Sequence, residues 1–131
     1  MLQDAKLSLL WIFLFLNYIF CDVFSLMYPP MIQELSVGNT VDGIEMSQTF
    51  LLIFAAIMEL GMIMTVLSRL LPYTPNRIAN IVVGLALLVV QVGSLFAGEN
   101  TLHYWFFSVV EISTLIWIVV TSWRWQPEMA K

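Results

Sequence analysis

Three acids, Asp22, Glu59 and Glu111, are set within runs of Leu, Ile, Val, Phe and Met, with no Lys or Arg inside a helical turn of any of them. A carboxylate at the centre of a bilayer is disfavoured by about 2.5 to 3.5 kcal/mol on insertion scales, so an acid kept there bonds across helices or handles a proton or cation. Two carboxyls that meet in a medium of low dielectric cannot both ionise, and they hold a proton between them. The chemistry expected of these residues is proton or cation binding in a cavity shielded from lipid tails.

Helices must position such a site. The chain of 131 residues is 60% hydrophobic and 11% charged, with a mean hydropathy of +0.89, whereas a soluble domain is roughly half apolar and about a quarter charged. At roughly 20 apolar residues per crossing there is room for four spans and short connections. They read as Leu7 to Met27, Ser47 to Leu71, Ile78 to Ala97 and Leu102 to Trp123, in one integral membrane domain covering 1–131. Pro29 and Pro30 stop the first, Pro72 and Pro75 close the second, and Gly98 and Asn100 close the third. The first run has only Lys6, offset by Asp4, before it and no small-residue cleavage site after it, so it is read as a retained span rather than a secretory leader. Met31 to Met46 contains Gly38, Asn39, Asp42 and Gly43 and reads as the longest loop, with a short interfacial helix near Pro30 to Leu35. The fold class expected is all-α, a four-transmembrane-helix bundle, because apolar runs without alternation are not barrel strands.

The bases cluster at one side of that layout. Lys6, Arg69, Arg77, Arg124 and Lys131 fall at the two termini or the second connection, while the other connections carry Glu34, Asp42, Glu45 and Glu99. The positive-inside rule then puts both termini in the cytoplasm. Trp11, Tyr104, Trp105, Trp123 and Trp125 read as interfacial anchors at span ends.

Positions three and four apart give each span a polar stripe. Span three lines up Asn80, Gly84, Leu87, Gln91, Ser94 and Gly98, and span four Tyr104, Ser108, Glu111, Leu115, Ile118 and Ser122. Span one offers Tyr18, Asp22 and Ser25; span two offers Gln48, Leu52, Ala55, Glu59, Met62 and Arg69. Small and polar residues mark helix contacts in lipid, so these faces should turn inward. Glu59 is ten residues from Arg69, about 15 Å along a helix, which rules out a direct ion pair and leaves the other acids, amides and hydroxyls as its partners. The ligand- or proton-binding set expected is Asp22, Glu59, Glu111, Tyr18 and Gln91. Equally, any one acid could serve only as a packing group between helices.

Other residues are weighed and set aside. His103 stands at the outer boundary, about 12 Å along the helix from Glu111, and reads as a solvated histidine. Met58, Met62 and Met64 do not converge on one face and read as apolar filler. Cys21 is the single cysteine, which excludes an internal disulfide. Asn17 lies about 140° around the helix from Asp22 and would bond another helix or subunit. The net charge of −4 and the lack of a basic run exclude nucleic acid as a partner. No nucleophile elbow, HExxH, phosphate loop, CxxC or haem-type histidine pair occurs, so no cofactor and no metal site are expected and an enzyme is the less favoured class.

Leu7 to Phe13, Asn17 to Asp22, Met58 with Glu59, Leu67 to Arg69, Asn76 with Arg77 and Asn80, and Tyr104 with Phe106, Phe107 and Glu111 together resemble an uncharacterised family of small bacterial four-helix membrane proteins, DoxX-like in layout. The resemblance covers nearly the whole chain. It implies the bacterial inner membrane and puts Asp22, Glu59, Arg69, Arg77 and Glu111 on the family's recognisable positions. DoxX-like members are associated with membrane redox work, but no redox ligand is present here to carry that over.

Three functions follow. The first is a proton-coupled or cation or small-molecule carrier or binding protein, in which Glu59 and Glu111 share a proton, Asp22 attracts a cation, and Tyr18 and Gln91 orient the ligand; a single short chain would then work as a homo-oligomer. The second is a non-catalytic accessory or scaffold subunit of a membrane complex. The third is an intramembrane enzyme on a lipid-like substrate, using one protonated and one ionised carboxyl.

Overall fold

A computed structural model describes residues 2–38, 40–41 and 44–127. Four long helices, α1 (Gln3–Met27), α3 (Gln48–Leu70), α4 (Tyr73–Ser94) and α5 (Leu102–Trp123), are each long and apolar enough to cross a membrane. A shorter helix, α2 (Pro29–Gly38), and a small antiparallel pair, β1 (Thr40–Val41) with β2 (Ile44–Glu45), connect α1 to α3. The long helices form a ring in which α1 and α4 each pack on both α3 and α5. Large apolar side chains such as Leu52, Leu70, Val89 and Phe106 point outward. Hydrocarbon is the solvent that accepts them, and the molecule is a multi-pass membrane protein in contact with the lipid bilayer.

The ends of the ring differ in construction. The start of α1, the end of α5 and the α3–α4 turn lie at one end, called the terminal end; α2, the β pair and the α4–α5 turn lie at the other, the loop end. Ser47 and Thr101 cap α3 and α5 at the loop end, accepting from the amides of Phe50 and Tyr104. Gly98 adopts φ 81°, a left-handed conformation that permits the reversal after α4.

Local chemistry explains where boundaries depart from the sequence expectation. Pro75 does not close a span: it sits in the first turn of α4, which starts at Tyr73 rather than near Ile78. First-turn amides have no intrahelical partner, so proline is tolerated there. The same holds for Pro29 and Pro30, which open α2. The stretch read as mostly loop is thus helical from Pro29 to Gly38 and then paired. Asn39, Asp42, Gly43 and Lys131, used in the sequence reading, lie outside the described residues.

The terminal end is tied by polar contacts. Asn76 Nδ2 donates to the carbonyls of Ser68 (2.7 Å) and Leu71 (3.2 Å), satisfying groups that the end of α3 leaves open. Asn80 Nδ2 donates to Asn76 O and Oδ1, while its own Oδ1 accepts from Trp11 Nε1 at 2.7 Å and Ser68 Oγ at 3.2 Å. Trp11, Ser68, Asn76 and Asn80 are all 0% exposed. Trp11 is therefore a core residue and not an interfacial anchor, because α1 begins at Gln3 and carries it two turns into the bundle. Trp125 is also buried, and its carbonyl accepts from Tyr73 Oη at 2.6 Å, whereas Trp123 is exposed.

Cations finish this end. Arg77 donates to the carbonyls of Ser122 (3.0 Å) and Trp123 (2.9 Å) where the α5 dipole is negative, and Arg69 meets Asp4 at 3.2 Å. Close approach at the α1–α3–α4 junction needs Gly61, since a Cβ there would stand 2.5 Å from Phe15 Cζ and 2.7 Å from Leu87 Cδ1.

Candidate functional site

All four long helices contribute to a small chamber toward the loop end, about 90 Å³ in volume. α1 brings Tyr18, Cys21 and Asp22; α3 brings Phe54 and Met58; α4 brings Gln91 and Ser94; α5 brings Tyr104 and Glu111. Tyr18 and Asp22, Phe54 and Met58, and Gln91 and Ser94 are three or four residues apart and Tyr104 and Glu111 seven, spacings that place side chains on one helix face. A larger cavity of about 480 Å³ lies beyond it, bounded by the top of α1, by α2 and the β pair, and by the α4–α5 turn. Asp22, Ser94 and Tyr104 line both spaces, so the two abut there.

Hydrogen bonds set the rigid wall. Ser94 Oγ donates to the carbonyl of Gln91 at 2.7 Å and shares a 2.5 Å hydrogen bond with Tyr104 Oη. Gln91 Nε2 donates to Ser108 Oγ at 3.1 Å. Glu111 is only 2% exposed, and its Oε1 has no hydrogen-bond partner. An orphaned buried acceptor costs about 1–3 kcal/mol, more when charged, and here it adjoins an open space. The chamber can therefore receive a hydrogen-bond donor, from water, a proton carrier or a cation. Toward the terminal end its floor is the buried apolar set Leu14, Phe15, Met64, Leu87 and Leu115.

A protein-family profile matches residues 2–131. The chain belongs to DUF6326, a family of unknown function. No curated protein and no solved structure matches it.

In this DUF6326 chain the structure brings together Asp22, Glu111, Tyr18 and Gln91 of the residues singled out from sequence, and leaves Glu59 apart. Glu59 is exposed and lines neither space. Met58 faces the chamber, and one residue further turns the helix by about 100°, which carries Glu59 away. The whole stripe Gln48, Leu52, Ala55, Glu59, Met62 and Arg69 is exposed, and α3 instead buries Gly61, Met64 and Ser68. A proton shared between Glu59 and Glu111 within one chain has no geometry to support it.

Two further residues differ from their sequence reading. His103 is half-buried rather than solvated, with Nε2 3.1 Å from Ser25 Oγ and Nδ1 3.0 Å from Thr101 Oγ1, and it lines the larger cavity. Asn17 bonds within its own helix, donating to the carbonyl of Phe13 at 2.8 Å. The sequence reading missed Ser94 and Tyr104 as the shared neck; both stood on stripes already drawn, and their position beside Asp22 was the available signal. Cys21, Phe54 and Met58 carry no signal that separates a chamber wall from ordinary packing.

Proposed function

We propose that this protein is a membrane-embedded binding protein for a proton together with a small donor or cationic ligand, with Glu111 as the acceptor, Asp22 at the neck, and Tyr18 and Gln91 as orienting groups. One observation carries the reading: the unpartnered Oε1 of buried Glu111 beside a chamber that a wider cavity adjoins. The packed apolar floor favours exchange from the loop end over passage through a single chain. Lys6, Arg69, Arg77 and Arg124 all belong to the terminal end, which supports cytoplasmic termini and a cavity facing the outer side.

Dicyclohexylcarbodiimide modifies proton-carrying carboxyls in apolar surroundings, and peptide mass mapping of the purified protein in lipid locates the adduct. An adduct on Glu111, absent from Glu111→Gln, is expected. A folded protein whose Glu111 stays unmodified overturns the reading.

A homo-oligomer accompanies this function. Glu59 points outward at mid-span on a helix whose face also carries the small residue Ala55, and a second copy of that face would satisfy the carboxyl by mutual hydrogen bonding across a two-fold axis. Ala55→Cys in a Cys21→Ala background should cross-link between chains, and cross-linking that survives Glu59→Leu undiminished removes the carboxyl from the interface.

A further inference from the structure

The walls of the two spaces carry mainly acidic groups. Asp22, Glu34 and Glu99 line the larger cavity and Glu111 ends the smaller one, while no lining residue among those described is Lys or Arg. Between the acids the surface is apolar and adaptable, with Leu26, Met31, Val41, Ile44 and Met46, and Tyr28 and Tyr104 offer aromatic rings. Methionine and aliphatic walls fit irregular apolar bodies, and aromatic rings attract cations. An anion entering this space would meet Asp22, Glu34 and Glu99, with His103 the one described lining group able to carry a positive charge.

We propose that the ligand is an amphiphilic organic ammonium ion, with its nitrogen seated in the inner chamber between Glu111 and Asp22 and its apolar body in the larger cavity. The inference rests on the binding function proposed above and names its ligand class. Glu111 Oε1 is an acceptor without a donor, and an ammonium group brings up to three donors and a full charge. A volume of about 90 Å³ admits the head and its adjoining methylenes, and the bulkier remainder fits the space of about 480 Å³. A bare metal ion fits less well, since no three of His, Cys, Asp and Glu among the described residues converge as ligands.

The probes are phenethylammonium, its anionic counterpart phenylpropionate and the neutral phenylpropanol, each tested for protection of Glu111 against carbodiimide and for binding by calorimetry in lipid nanodiscs. Phenethylammonium should protect Glu111 and bind, and Asp22→Asn should weaken it about tenfold, the scale of one charge-assisted hydrogen bond. Asp22 is exposed, so this variant tests the idea even where Glu111→Gln fails to fold. Equal protection by the acid or the alcohol, or no protection by the amine, overturns the ligand class while leaving the Glu111 site standing. Absence of any Glu111 adduct in the unliganded protein removes the site and the ligand class together.

Discussion

Both ends of the bundle bury polar side chains, and they use them in different ways. At the terminal end, Trp11, Ser68, Asn76 and Asn80 match donor to acceptor among themselves and are sealed from solvent, and the buried Trp125 indole N–H, which has no hydrogen-bond partner, lines neither cavity. At the loop end, Gln91, Ser94, Ser108 and Tyr104 are matched, but Glu111 keeps an unpartnered oxygen and lines the small chamber. A saturated network rigidifies a fold, and an unsaturated one is held ready for a partner. The difference shows which acids and amides build the protein and which are kept for something outside it.

That contrast can be broken by mutation. The largest loss is expected for Asn80→Ala, which strands the Trp11 indole N–H and the Asn76 Oδ1; about 2–3 kcal/mol should disappear from unfolding stability in detergent. A loss no larger than that of a lipid-facing substitution would show that the network contributes nothing. Gly61→Val drives a side chain into Phe15 and Leu87, an overpacking worth about 1–3 kcal/mol, and thermal melting in nanodiscs measures it. Glu111→Gln should cost less than about 1 kcal/mol or raise stability, as at sites held strained for function, while abolishing phenethylammonium binding measured by calorimetry. Destabilisation of the size seen for Asn80 would make Glu111 a structural residue. Tyr104→Phe, which removes only the bond to Ser94 at the neck, should cost about 0.6 kcal/mol and shows up more clearly as faster carbodiimide modification of Glu111.

The sequence made the phases of α4 and α5 legible because each carries several polar or small residues on one stripe, and the buried set Asn80, Gly84, Leu87, Gln91 and Ser108, Glu111, Leu115, Ile118, Ser122 follows those stripes. α3 resisted the same reading. It is apolar all round and the least buried of the four, with 11% of its most apolar stretch inside the bundle, so Glu59 was its main polar marker and pointed the wrong way. Hydropathy finds a span by its mean, but it fixes a rotation only where polar groups repeat. Trp11 was misjudged for a related reason: a tryptophan near the start of an apolar run marks the membrane surface only if the helix starts there, and this helix starts two turns earlier. The wall built from α2 and the β pair depends on tertiary contacts that no local spacing encodes.

The amide contacts around Asn76 have a bearing on biogenesis. Ser68, Leu71, Asn76 and Asn80 all belong to α3, α4 or the short turn between them, so the Asn76 and Asn80 side-chain amides donate only within one helical hairpin. The pair can leave the insertion machinery as a unit with its polarity already masked, and Trp11 of the earlier-made α1 then has a waiting acceptor on which to dock.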